Sequence, residues 1–135
     1  MHEILFRGKE FRSGDWYYGQ IVRGNQSKFI HEYESFAHIP VRPETLGQYT
    51  GLTDKNGVKI FEGDIVKIDD DYETFGKMAG EIREVWFKDG GFRLKPKYAS
   101  SVARGVRGCW LDDGAVFEVI GNIYDNPELL GGDNE

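Results

Sequence analysis

The chain has 135 residues, 23 acidic against 17 basic side chains for a formal net charge of −6, 39% hydrophobic and 14% aromatic content, and a single cysteine, Cys109. That length suffices for one compact domain that folds unaided, or at most two small sub-barrels that share a core. One cysteine excludes an intramolecular disulfide and multi-cysteine zinc sites of CxxC spacing, and the acidic balance opposes generic attraction to phosphate backbones while leaving room for a local basic strip. The first residues carry Glu3 and no apolar run of signal-peptide length, and no stretch approaches the roughly 18 apolar residues of a membrane helix. A cytoplasmic protein, neither exported nor membrane-spanning, is expected.

In chain order, short runs rich in aromatic and β-branched residues occur at 4–6, 16–22, 28–30, 65–68, 81–87, 92–94 and 116–124. None holds a helical period. Turn signals separate them: Ser13-Gly14-Asp15, Arg23-Gly24-Asn25, Asn56-Gly57, Glu62-Gly63-Asp64 and Asp89-Gly90-Gly91. Many short strands with tight turns predict a mostly β fold with few or no helices, a small barrel or sandwich. The clearest hairpin pairs residues 82–94 across Asp89-Gly90. Pro40 and Pro43 predict a connector over 40–52 with at most one helical turn at Pro43-Glu44-Thr45-Leu46. Residues 69–80, with three consecutive aspartates, predict an exposed loop, and the glycine-rich tail 131–135 predicts disorder. No repeat or low-complexity block is present, so the expected organisation is a single domain, with N-terminal strands over about 1–50 and a barrel-like portion over about 58–124.

Three segments carry a family resemblance together. They are Ile4-Leu-Phe-Arg7 with Trp16-Tyr-Tyr-Gly19, then Gly47-Gln-Tyr-Thr-Gly-Leu-Thr-Asp-Lys-Asn-Gly57 running into Ile60-Phe-Glu-Gly-Asp-Ile-Val66, and Val119-Ile-Gly-Asn-Ile-Tyr-Asp-Asn-Pro-Glu-Leu129. In this order they resemble the YopX-like family of phage and prophage proteins from Ile4 to Leu130. The Ala-Trp-Asp that follows the family's first strand is replaced here by Gly8-Lys9-Glu10. The resemblance implies a phage-encoded, mostly β protein, and it brings no catalytic residues with it. Independently, the Gly-Asp-Ile-Val segment, a loop and a Glu-x-x-Val-Trp-Phe strand are similar to parts of a Src-homology-3-like barrel over 60–123, an architectural analogy only.

Residues with chemical potential mostly have plainer readings. His31 and His38, with Glu32 and Glu34, lack the short spacing of a histidine pair on one element and read as solvent-facing. Asp69-Asp70-Asp71 with Glu73 lacks the glycine and distal glutamate of a calcium loop and reads as a solvated acidic turn, as does Asp112-Asp113-Gly114. Cys109 beside Trp110 and Leu111 reads as packed rather than nucleophilic. No nucleophile elbow, phosphate loop or dinucleotide fingerprint occurs. No enzyme activity, cofactor or metal is therefore expected.

The strongest polar feature is Lys95, Lys97, Arg104 and Arg107, interleaved with Tyr98 and near Trp110, a basic and aromatic mixture suited to single-stranded nucleic acid. The sequence thus supports two readings. The first is a non-enzymatic accessory protein acting through contacts with a phage or host protein or with a second copy of itself. The second is a nucleic-acid-binding small barrel using Lys95, Lys97, Tyr98, Arg104 and Arg107.

Overall fold

The structure is a computed structural model that describes residues 4–24, 27–32, 38–68, 80–88, 90–95 and 117–131. Among these the regular elements are ten β-strands and two short 3₁₀ turns, Pro43–Thr45 and Pro127–Leu130, so the fold is mostly β as the turn spacing predicts. The chain divides into two compact units, Met1–Gly51 and Leu52–Glu135.

The first unit contains β1 (Phe6–Lys9), β2 (Trp16–Arg23), β3 (Lys28–His31), β4 (His38–Val41) and most of β5 (Gly47–Thr53), in the order β4-β3-β2-β1-β5. The pairings β1 to β2, β2 to β3, β3 to β4 and β1 to β5 are all antiparallel. The chain beyond β1 then meets β4. Glu10 bridges to Val41, the Phe11 N–H donates to the Pro40 carbonyl at 2.9 Å, and the Arg42 N–H donates to the Lys9 carbonyl at 2.9 Å. These bonds draw four strands toward a ring and satisfy backbone groups that an edge strand would leave open. Ile30 and Val41 are buried inside. The turn of the ring leaves little room at two glycines. A Cβ on Gly8 would lie 3.0 Å from Leu46 Cδ2, and one on Gly19 would lie 2.1 Å from the His31 carbonyl oxygen.

The connector expected over 40–52 is largely strand. Pro43–Thr45 does form a single 3₁₀ turn, but β4 runs through Pro40 and β5 begins at Gly47. Pro40 is tolerated because its carbonyl, not its missing N–H, supplies the bond to Phe11. The turn is tied down by Thr45, whose hydroxyl donates to the Arg42 carbonyl at 2.6 Å and accepts the Lys9 N–H at 2.9 Å.

In the second unit, β6 (Lys59–Phe61) neighbours β5, while β7 (Asp64–Ile68), β8 (Ile82–Lys88), β9 (Gly91–Leu94) and β10 (Phe117–Asn122) form an antiparallel sheet in the order β10-β7-β8-β9. Ile60, Val66, Ile68, Val85, Leu94 and Phe117 pack into one core, with Leu52, Phe92 and Val119 against it. The predicted hairpin forms, with Val85 opposite Leu94, Lys88 opposite Gly91, and Gly90 at φ +84° in the turn. Of the Src-homology-3-like barrel expected over 60–123, the described residues supply these strands; 69–79 and 96–116 lie outside them, as do residues 132–135 of the predicted disordered tail.

The polar residues of the two longer family motifs act on the backbone. Asp54 is 5% exposed, and its carboxylate accepts the N–H groups of Asn56 (2.8 Å), Val58 (2.9 Å) and Val119 (2.9 Å), closing its own turn and fastening β10. The 2%-exposed Asp64 accepts the Phe61 N–H at 2.7 Å across the Glu62-Gly63 turn. Gly63, at φ +92°, donates to Val85 and accepts from Ile123. In the closing motif the Asn122 side-chain oxygen accepts the N–H groups of Tyr124 and Asp125, each at 2.9 Å.

Candidate functional site

The β8–β9 hairpin separates two chemistries by strand alternation. Val85, Phe87, Phe92 and Leu94 share the core face, and Glu84, Trp86, Lys88 and Arg93 share the other, because Trp86 stands opposite Arg93 and Val85 opposite Leu94. On the polar face the ammonium groups of Lys95 and Lys88 lie 5.1 and 5.6 Å from the Trp86 ring centroid, within cation–π range. Arg93 is 9% exposed and donates from Nε to the Lys88 carbonyl at 3.1 Å, which fixes the strand beneath the ring. The Trp86 Nε1–H is buried, with no hydrogen-bond partner among the described residues.

Glu84 completes this face. Its carbonyl accepts the Lys95 N–H at 2.8 Å, and its carboxylate lies 3.7 Å from the Lys95 ammonium. Burial pushes the Glu84 carboxyl above its ordinary value, and Lys95 opposes part of that shift. On the core face the apolar surface runs out past the buried core. Phe87 meets Phe92 edge to face at 5.2 Å between centroids and remains 50% exposed.

The first unit has a related arrangement. Arg7 lies 4.5 Å over the Trp16 ring and Lys9 5.6 Å from its centroid. Arg7 is only 6% exposed, so this cluster is largely packed. His31 and His38 are brought directly opposite each other on β3 and β4, with ring centroids 5.0 Å apart at 77°. His38 is exposed as the sequence suggests, whereas His31 is half-buried and its Nδ1 has no hydrogen-bond partner among the described residues. Among the described residues no group of three or more His, Cys, Asp or Glu side chains converges for a metal ion.

Of the basic and aromatic set read from the sequence, Lys95 is placed, and among the described residues its ammonium faces the Trp86 ring. Lys97, Tyr98, Arg104 and Arg107 lie outside the described residues, as do Asp69, Asp70, Asp71, Glu73, Cys109, Trp110 and 112–114. Sequence reasoning passed over Trp86, Lys88 and Arg93 because it treated 81–94 as a folding unit. The signal was present in the register of the hairpin, which sets Trp86 among Lys88, Arg93 and Lys95.

A family model described as YopX protein matches residues 5–131. The chain belongs to the YopX family. A curated relative of this YopX-family chain, the SPbeta prophage-derived uncharacterized protein YopX of Bacillus subtilis (strain 168), is 37% identical over 76 residues. Those residues are 56% of this chain and 53% of the relative, so the match spans about half the length of each. The crystal structure of protein EF1440 from Enterococcus faecalis aligns over 96% of this chain and 99% of that one, with TM-score 0.50 and 24% identity, a likeness of fold. Among the described residues no helix is long and apolar enough to cross a membrane.

Proposed function

We propose that the protein is a non-enzymatic accessory protein of a phage or prophage that works in the bacterial cytoplasm through contacts with another protein. The observation that carries this reading is the Phe87–Phe92 pair, where the apolar face of the hairpin continues beyond the core and leaves half of the Phe87 ring in water. A partner covering that ring would remove roughly 100 Å² of apolar surface from water, about 2 kcal/mol. Aromatic anchors of this kind dominate protein interfaces. Family membership and the prophage origin of the curated relative supply the biological setting, and the reading is supported by the backbone hydrogen bonds that Asp54, Asp64 and Asn122 accept, a role in folding.

The test is a tagged pull-down from cells in which the encoding phage or prophage is active, run with and without nuclease. A defined protein retained after nuclease treatment supports the reading. A protein that light scattering finds monomeric at every concentration, and that retains no protein after nuclease, contradicts it.

A further inference from the structure

We propose that the outer face of the β8–β9 hairpin is a contact site for single-stranded nucleic acid, with Trp86 as the stacking platform and Lys88 and Lys95 as the phosphate contacts. This goes beyond the protein contact assigned to Phe87, because strand alternation puts Trp86 on the opposite face of the same hairpin. Trp86 is half-buried outside the core cluster, with two ammonium groups 5.1 and 5.6 Å from its ring centre. Both lysines sit on flexible stems, so they can swing off the ring as a base stacks on it and engage the flanking phosphates.

The charge distribution favours this partner. With a net charge of −6 the whole molecule repels polyanions, so binding requires a locally positive surface. Among the described residues the Trp86 face carries the cations Lys88, Lys95 and Arg93 and the acid Glu84, which is paired to Lys95 and whose ionisation is disfavoured by burial and by the neighbouring Glu62 carboxylate. Arg93 is too buried to leave its strand, so it adds field rather than a direct contact. Stacking needs an unpaired base, which selects single strands over duplex.

The test is fluorescence anisotropy with labelled oligothymidine and oligouridine of about 12 nucleotides at about 20 mM salt, beside a duplex of equal length. The expected result is preferential single-strand binding whose log affinity falls with log salt at a slope near −1.4, the value for about two phosphate contacts. Lys88→Glu and Lys95→Glu should each weaken binding about tenfold. Trp86→Leu should abolish the preference for single strands. Lys88 is exposed, so its substitution keeps the test valid if the tryptophan variant fails to fold. Stronger binding to either oligomer identifies DNA or RNA as the source. Absence of binding at low salt, equal affinity for duplex, or undiminished binding by the Lys88 and Lys95 variants overturns the proposal.

Discussion

At the scale of single residues, Asp54 holds more of the second unit together than its position in a turn suggests. Its carboxylate accepts three backbone N–H groups, one of them from Val119 on β10. Replacing it by alanine leaves those donors unpaired in a buried site, and the expected loss is about 2–4 kcal/mol in chemical denaturation, with Asp54→Asn retaining part of it. Two glycines should respond differently to a methyl group. Gly90→Ala meets nothing within 4 Å and costs only the positive φ, about 1 kcal/mol. Gly19→Ala drives a Cβ to 2.1 Å from a backbone oxygen and should cost at least about 3 kcal/mol, seen as loss of soluble protein or a large fall in melting temperature. Glu84 gives a pH dependence of definite sign. Because burial raises its folded-state pKa, the unfolded chain ionises first, so its effect on stability turns unfavourable as pH rises from the ordinary glutamate value through the raised one. Glu84→Gln should therefore gain stability relative to the natural protein as pH increases across that window, measured by denaturation at acidic and neutral pH; a constant difference would contradict the assignment.

At the scale of elements, the most legible features were those whose signal is local. The β8–β9 hairpin follows from alternation and an Asp-Gly turn, and the turn at Glu62-Gly63 from glycine and aspartate chemistry. The strands β4 and β5 were not legible. Pro40 argues against pairing unless its carbonyl faces the neighbour, and β5 opens on Gly47 and Gln48, poor strand formers whose pairing is set by β1, about forty residues away in sequence. The bond from Asp54 to Val119 spans 65 residues and leaves no local trace. The candidate surface was half legible for the same reason. Lys95 is visible as a charge, but its approach to Trp86 depends on strand register, and the cations grouped with it in the sequence lie beyond the described residues.

At the scale of the whole molecule, each unit has its own buried residues, and the family signature is spent largely on keeping the second unit closed. That division of labour separates variants that unfold the protein from variants that blind it. Substitutions at Asp54 should lower stability and binding together, whereas substitutions at Phe87 should spare the fold. The most direct test is the affinity of Phe87→Ala for the protein captured by the natural chain, measured by calorimetry alongside the melting temperatures of both. The expected result is a loss of about 2 kcal/mol, roughly 30-fold, with the melting temperature lowered by only a few degrees through the lost contact with Phe92. Equal affinity for the two proteins would contradict a partner seated on the exposed aromatic face.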